Sequence, residues 1–285
     1  MLHVETSFGR EHYSSPLVRF SNEGPLIRID GRNTLAGNYQ RLAASGSTGF
    51  NLASDLSLQT NGALEEKRFT QAKDLDFRLM SVDAIMRLQL PNNHSLGFGP
   101  GIQHINVAGK PFRQRHAVQT DWTKMSPDDG YTTVVIDYGR NRHAQEFKDM
   151  DSTSGLALVR RQFLKPLSFL NEIAVEAGVG MENNLNHLDD LSSRQKYARL
   201  SSEWNTGSLK WTLGLMTQKA RFKAASLDEL PVRQDTLSSV DLSCEHALSK
   251  DVFIRIDTMR SNNKANSALF ESRFNGHSMS LGLNF

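Results

Sequence analysis

Histidine, serine and acidic residues that lie close together in the sequence are the first candidates for chemistry. A histidine beside a serine or a carboxylate can act as a general base or activate a nucleophile. No candidate set lies in a nucleophile elbow, a metal-binding helix or a phosphate loop, and such pairs arise readily among nine His and thirty-one acidic residues. We therefore predict solvated rim or loop residues and a chain that is not an enzyme. The candidate sets are His94 with Ser95, His116 with Asp121, and His143 with Asp149 and Asp151.

Two further features suggest chemistry at first sight. The run Gly97-Phe98-Gly99-Pro100-Gly101 resembles a phosphate cradle, but neither a helix nor a lysine follows at the required place, so its glycines are expected to line a strand bend or a lumen. Cys244 is the only cysteine, which excludes an internal disulfide, and no Cys/His spacing indicates a metal site. No cofactor and no metal are expected.

Composition excludes some classes of protein. The formal net charge of +2 is too balanced for nucleic-acid binding. Mean hydropathy is −0.45, and the sequence has no apolar run long enough for a membrane-spanning helix, whereas the half-apolar strands of a β-barrel remain compatible with both facts. Residues 1–5 lack the basic and apolar segments of a secretory signal, so either the sequence is a processed or truncated form, or a membrane assignment is wrong.

Alternation of apolar with polar or small residues is the strongest pattern in the sequence. A strand between lipid and a polar lumen must place every second side chain in hydrocarbon, which produces this period of two, and helical spacing explains the segments less well. The alternating segments are Phe50 to Leu64, Val82 to Leu90, Val134 to Tyr138, Ile173 to Met181, Leu209 to Leu215, Val240 to Cys244 and Val252 to Ile256.

Turn-rich breaks divide the chain into about fourteen strands of an all-β, transmembrane antiparallel β-barrel, which we predict as a single domain over 1–285. Residues 9–34 fit the pattern least well, because Pro16, Gly24 and Pro25 interrupt it, and they are expected to form a long loop or a plug. The predicted strands are 2–8, 35–45, 50–68, 74–90, 93–106, 111–124, 130–142, 151–163, 170–183, 191–205, 208–223, 233–247, 251–262 and 269–285.

Loop length and tryptophan position support a membrane barrel. The breaks near 91–93, 205–207 and 248–250 are short and fall at one end, while longer breaks near 143–150, 184–190, 224–232 and 261–268 fall at the other, as in barrels with short periplasmic turns. Trp204, Trp211 and Trp122 lie near short turns, where an interfacial girdle would place them. A tryptophan in the core of a soluble sheet is the alternative.

The last strand alternates up to its final residue. Met279, Leu281, Leu283 and Phe285 share one parity, and Phe285 ends the sequence. This resembles the signal by which the barrel-assembly machinery recognises outer-membrane proteins, so we expect these four residues to be an assembly signal and that machinery to be a partner.

The last hundred residues or so also resemble the C-terminal barrel of the surface lipoprotein assembly modifiers, called Slam. That family carries a periplasmic tetratricopeptide domain before its barrel and delivers lipoproteins to the cell surface, but this sequence has no such helical repeat. The resemblance implies an outer-membrane barrel with a lipoprotein client. It depends on Tyr197 and Trp204 in a hairpin with Trp211, on Arg233 with Asp235, on Ser261-Asn262, and on the final strand from Ser272-Arg273 to Phe285.

These patterns together predict a non-enzymatic barrel of the bacterial outer membrane that assists translocation or surface display of a lipoprotein or another macromolecule. Its expected partners are outer-membrane lipid and the client, without nucleic acid. A passive porin or an exopolysaccharide export pore is the alternative, followed by a barrel hydrolase and a soluble β-sandwich. The charged residues expected to face the lumen, as a selectivity surface or simply as ion pairs, are Glu172, Glu176, Asp241, Arg255 and Asp257.

Overall fold

A computed structural model of the chain describes residues 2–14, 17–19, 26–28, 34–70, 73–126, 129–224, 232–266 and 271–284. Fourteen strands form a closed antiparallel barrel, which confirms the predicted fold class and strand number. The barrel strands are β1 (Leu2–Ser14), β4 (Thr34–Asn51), β5 (Leu56–Phe69), β6 (Phe77–Leu90), β7 (His94–Val107), β8 (Lys110–Ser126), β9 (Gly130–His143), β10 (Ser152–Leu167), β11 (Leu170–Asn184), β12 (Ser193–Thr206), β13 (Leu209–Phe222), β14 (Gln234–Ala247), β15 (Val252–Ala265) and β16 (Ser272–Asn284).

The barrel closes between its first and last strands. β1 pairs with β16 from His3 opposite Asn284 to Ser14 opposite Arg273, and every other barrel strand pairs with its neighbours in sequence. Closure leaves no unpaired sheet edge, which is the condition for a sheet to exist in hydrocarbon. Between β1 and β4, β2 (Leu17–Arg19) and β3 (Leu26–Arg28) form a separate two-stranded sheet.

The two ends of the barrel differ. One end carries the start of β1, the end of β16 and the short connections 52–55, 91–93, 127–129, 168–169, 207–208 and 248–251. The other end carries the connections 15–33, 70–76, 144–151, 185–192, 223–233 and 266–271, together with the tight turn at 108–109. Short 3₁₀ helices lie in the longer connections at Lys73–Leu75, Gln145–Met150 and Asp189–Leu191. The short-turn end is the periplasmic end of such barrels. Within the described residues, no helix has the length and apolarity needed to cross a membrane.

Two predicted boundaries are wrong. The alternating segment from Phe50 to Leu64 is two strands, because the N–H groups of Leu52 and Ala53 donate to the carbonyl of Leu56 (2.8 and 3.0 Å) in a turn. Asn51 pairs with Ser57, which leaves an odd number of residues between the paired positions, so the same parity faces outward before and after the turn, and the alternation continues through it.

The first strand was predicted to end at residue 8, but β1 continues to Ser14. The breaks at Pro16, Gly24 and Pro25 led to the loop assignment, but they lie beyond residues 9–14, where Arg10 and Glu11 belong to the two faces of β1. The predicted long loop or plug thus shrinks to 15–33, of which the structure describes only β2 and β3. The plug itself stays a prediction.

Apolar side chains cover the outside of the barrel rather than its centre. Val82, Ile136, Val179 and Met279 are each more than half exposed, and Leu213, Leu215, Val175, Ile254 and Leu56 share the outward parity of their strands. Inside, a buried apolar cluster joins Leu79, Ile105 and Phe112 near the long-loop end. An exposed apolar belt on a closed, even-stranded barrel with short turns at one end is typical of bacterial outer-membrane proteins, and it places this chain in that membrane.

Candidate functional site: the lumen wall

Contacts between strands that are not neighbours identify the lumen face. Arg87 on β6 binds Asp121 on β8 through two bonds, Nη1 to Oδ1 at 2.8 Å and Nη2 to Oδ2 at 3.2 Å. The residue of β7 between them is Gly97, which is the register partner of both. Side chains two strands apart converge only on the concave side of a curved sheet. Arg87 and Asp121 therefore point into the barrel.

Glu5 is the centre of a second set of such contacts. Its side chain is 3% exposed, and its two carboxylate oxygens accept bonds from Arg255 Nη2 on β15 at 2.8 and 2.7 Å, across β16. Arg41 on β4 binds Glu5 at 3.2 Å and Glu65 at 2.7 Å, and Arg255 Nε binds Asp257 at 3.1 Å. We call these five residues the Glu5 network, which runs over five adjacent strands around the seam where the barrel closes.

Further ion pairs continue around the wall. Lys67 on β5 reaches Glu11 on β1 across β4, where its ammonium also lies 4.1 Å from the ring centroid of Tyr39. Arg115 binds Asp137 on the neighbouring strand. A cation over an aromatic ring and a carboxylate beside it both stabilise the charge at a partly desolvated position.

All five residues predicted to face the lumen lie at lumen-facing positions of their strands, on β11, β14 and β15. Arg255 and Asp257 belong to the Glu5 network. Glu172 lies 3.6 Å from Arg160, and Asp241 lies 3.8 Å from Arg199, while Glu176 is the register partner of Arg160. Their role in selectivity stays a prediction, and the structure pairs three of the four carboxylates, Glu172, Asp241 and Asp257, with arginine.

Glu5, Arg41 and Arg87 were missed in the sequence, and Asp121 was considered only as a partner of His116 and not as a lumen residue. A signal was present, since Glu5 and Glu11 share a parity in β1 with Ser7 and Gly9. The truncated prediction of that strand concealed it.

Opposite charges are segregated between the two faces. Away from the hairpin ends at 107–111 and 164–167, lumen-facing strand positions hold fourteen carboxylates and nine basic side chains, a net charge of −5 with His neutral. The carboxylates are Glu5, Glu11, Glu65, Asp83, Asp121, Asp137, Glu172, Glu176, Glu182, Glu203, Asp235, Asp241, Glu245 and Asp257. The basic residues are Arg41, Lys67, Arg87, Arg113, Arg115, Arg160, Arg199, Lys210 and Arg255.

The outward face has the reverse balance. In the described strands its only carboxylate is Glu66, whereas basic residues are frequent near the long-loop end. Away from the same hairpin ends, only Lys124 and Arg161 lie towards the short turns. We call the set at the long-loop end the outer basic girdle. It comprises Arg10, Arg68, Arg78, Arg140, Arg142, Arg194, Lys196, Lys219, Arg221, Arg260, Lys264 and Arg273.

The glycine run lies in β7, in the wall of the lumen, as predicted. A Cβ on Gly99 would lie much less than 3.0 Å from the backbone of Ala84, which is closer than two such atoms can approach. Only glycine therefore allows β7 to lie this close to β6. Pro100 has no N–H to donate, and the β6–β7 register omits Ala84 and Ile85 opposite this site. A recess of about 140 Å³ opens here, lined by Asp83, Arg115 and Asp137 among others.

Two of the three candidate acid–base sets are separated by the wall of the barrel. His94 and Ser95 are adjacent in β7 and so face opposite sides of the wall, and His116 and Asp121 likewise differ in parity. His143 Nδ1 lies 3.6 Å from Asp151, whose carboxylate accepts the backbone N–H of His143 at 2.6 Å, an arrangement that anchors the following loop. No cluster of three or more potential metal ligands occurs in the part of the chain that is described.

Aromatic residues mark the short-turn end. Trp204 and Trp211 are register partners on the outward face, with ring centroids 6.3 Å apart and planes within 9°. Trp122 donates from Nε1 to Nδ1 of His94 at 3.2 Å. These positions match an interfacial girdle.

The predicted assembly signal is described in part. Met279, Leu281 and Leu283 lie on the outward face of β16, and Phe285 lies outside the described residues. The assembly role stays a prediction.

Comparison with solved structures supports the same architecture. OmpT, an outer-membrane protein of Vibrio cholerae, in a form with loop L8 deleted, is similar with a TM-score of 0.50 at 7% sequence identity, covering 99% of each chain. The likeness shows the fold. OccK2 (OpdF) of Pseudomonas aeruginosa, solved in complex with glucuronate, has a TM-score of 0.49 at 8% identity over 99% of this chain and 95% of that one. A FadL homologue of the same organism has a TM-score of 0.49 at 7% identity over 100% and 90%.

No family model matches the sequence, and no curated protein is similar to it. The resemblance to Slam is therefore unsupported by these comparisons and stays a prediction.

Proposed function

We propose that the barrel is a non-enzymatic passage for polar solutes through the outer membrane and that it prefers cations. The observation that carries this proposal is the charged inner wall, whose strand positions hold five more carboxylates than basic groups. The excess is four when Arg233, which is buried against Asp235 just before β14, is included. A wall lined by one excess sign of charge concentrates counter-ions and sets the selectivity of a pore.

The arrangement of ion pairs supports a passage with a fixed electrostatic surface. Arginines in the Glu5 network are held between carboxylates on both sides, at 2.7 to 3.2 Å. Because these groups satisfy one another along the wall, their positions do not depend on a ligand. Glu172 and Glu176 on β11 and Asp241 on β14 lie outside this network, and Glu172 and Asp241 are 3.6 and 3.8 Å from their arginines. These three carboxylates are therefore the best group for tuning selectivity.

The test is a reversal-potential measurement on barrels inserted into planar phosphatidylcholine bilayers under a KCl gradient. The wild-type potential is expected to have the sign of cation selectivity. The triple variant Glu172→Gln, Glu176→Gln, Asp241→Asn removes three lumen charges and should move the potential towards zero. Glu66→Gln makes the same chemical change on the lipid face and should leave the potential unaltered.

Anion selectivity of the wild type, or an equal shift in the Glu66→Gln control, would contradict the proposal. So would the absence of conductance from barrels shown to be folded and inserted.

Passage or display of a lipoprotein, as the resemblance to Slam implies, is the narrower proposal for the same barrel. It needs a periplasmic partner and a client, and it is tested by co-expressing candidate lipoproteins and measuring their surface exposure with and without the barrel.

A further inference from the structure

The outer basic girdle contains one region where like charges are stacked directly against one another. In the β12–β13 register, Arg194 lies opposite Arg221, and Lys196 lies opposite Lys219. All four side chains are exposed, and no carboxylate of the described residues lies within ion-pair distance of them. We call these four residues the basic tetrad.

Such an arrangement is unfavourable for the isolated protein. Side chains directly opposite in an antiparallel pair have Cβ atoms about 5 Å apart, and like charges there destabilise the sheet. Two consecutive like-charged pairs on one face are therefore a cost that an anion bound between the strands would remove.

The height of the tetrad on the barrel restricts what that anion can be. Trp211 and Trp204, at the short-turn end, are each eight residues from Lys219 and Lys196 along their strands. This is about 27 Å of strand, or about 21 Å along the membrane normal at a tilt of about 40°. An apolar band of about 25 Å spans the hydrocarbon of such membranes. The tetrad thus lies where the hydrocarbon ends and the outer-leaflet headgroups begin.

The neighbours of the tetrad favour an amphiphile over a soluble anion. On β11, Met181 is the register partner of Arg194 and Val179 is the partner of Lys196, and these two apolar side chains are 47% and 54% exposed. An occupant of this surface meets cationic groups and exposed apolar groups side by side. Arginine forks bind phosphate oxygens in a bidentate manner, and lysines add point charges.

We propose that the basic tetrad binds the phosphate groups of an anionic glycolipid of the outer leaflet, whose acyl chains lie against the apolar belt below. The rest of the outer basic girdle extends this lipid-binding surface around the barrel. The proposal concerns the outer face and is independent of what passes through the lumen.

The test compares lipid binding with stability in the absence of lipid. Full-length barrel is refolded in zwitterionic detergent and titrated with lipid A, a bis-phosphorylated glycolipid, and with its monophosphorylated form. Bound lipid is measured by native mass spectrometry, and the thermal unfolding midpoint by tryptophan fluorescence. The wild type should bind the bis-phosphorylated lipid more tightly, and its midpoint should rise on binding.

The variant Arg194→Gln, Lys196→Gln, Lys219→Gln, Arg221→Gln should bind lipid A at least about tenfold more weakly, since each basic group near a charged lipid surface contributes about fivefold. Its midpoint without lipid should stay equal to the wild-type value or rise, because repulsion has been removed. The matched control is Lys124→Gln with Arg161→Gln at the other end of the barrel, which should keep wild-type affinity.

Three results would overturn the proposal. The first is unchanged lipid A affinity in the tetrad variant, or equal weakening in the control. The second is a rise of the wild-type midpoint with inorganic phosphate alone as large as that with lipid A at equal concentration, which would indicate a soluble-anion site. The third is a wild-type oligomer that becomes monomeric in the tetrad variant without lipid, which would indicate a protein interface.

Discussion

Replacing Gly97 by alanine should break an ion pair to which Gly97 itself does not contribute. A Cβ at this position would lie less than 3.0 Å from the carboxylate of Asp121, closer than a Cβ and a neighbouring atom can approach. The three atoms nearest to it all belong to that carboxylate. Alanine therefore displaces the carboxylate and breaks its 2.8 and 3.2 Å bonds to Arg87. Arg87 and Asp121 can meet across β7 only because residue 97 has no side chain.

The magnitude follows from burial. Disrupting a well-buried ion pair costs about 3–5 kcal/mol, but the Arg87 side chain is 25% exposed while Asp121 is 5% exposed, so we expect about 2 kcal/mol from the lost pair. Alanine is favoured over glycine in a strand by about 0.5–1 kcal/mol. The net loss of stability for Gly97→Ala is then about 1–1.5 kcal/mol.

The assay is a double-mutant cycle. Wild type, Gly97→Ala, Asp121→Ala and the double variant are refolded into phosphatidylcholine vesicles, and their free energies of unfolding are measured by urea titration. In the Asp121→Ala background, Gly97→Ala should be neutral or slightly stabilising, giving a coupling energy of about 2 kcal/mol. The control is Gly62→Ala on the lipid face, where the added Cβ would lie 3.9 Å from the backbone oxygen of Ser81. This variant should not destabilise the barrel. Equal destabilisation by Gly97→Ala in both backgrounds would refute the contact across β7.

Three other changes test the outward face and the terminus. Leu213→Arg should destabilise the barrel in vesicles by about 2–4 kcal/mol if the site lies near the bilayer midplane, and a loss near zero would move it out of the membrane. The Trp204→Ala and Trp211→Ala variants should show a coupling of about 0.5–1.5 kcal/mol in a double-mutant cycle, because the rings stack; strict additivity would show that the contact adds nothing. Deleting Phe285 should lower the amount of barrel at the cell surface, measured by protease accessibility, while the refolded protein keeps near-normal stability, and unchanged surface levels would argue against an assembly signal.

The sequence predicts the barrel well because the two solvents on either side of its wall act on every strand. Lipid outside and water inside impose a period of two, so segments such as Ile173 to Met181 and Val252 to Ile256 already show which face each residue takes. The difference in loop length between the two ends is also visible, since it needs only the spacing of turn residues. Strand boundaries fail where this signal is weak or misleading, at residues 9–14 and at the turn 52–55.

The ion pairs of the lumen wall are harder to predict from the sequence, because they depend on the closure and the curvature of the barrel. Glu5 and Arg255 are 250 residues apart in the chain, and they meet because β1 pairs with β16. Arg87 and Asp121 meet over a glycine whose importance is visible only when the neighbouring strands are in register. Nor does the overall charge of +2 reveal that acidic groups gather inside and basic groups outside.

The most direct test of the passage is to alter the lumen and the lipid face at adjacent residues. In a Cys244→Ser background, Asp241→Cys places a thiol in the lumen and Leu242→Cys places one against lipid, one residue away on β14. A bulky, charged, membrane-impermeant thiol reagent is added to single barrels in a planar bilayer while conductance is recorded. A polar passage through the lumen predicts a stepwise fall in conductance for Asp241→Cys and none for Leu242→Cys. Conductance that is unchanged in the first variant despite confirmed labelling, or that falls equally in the second, would contradict it.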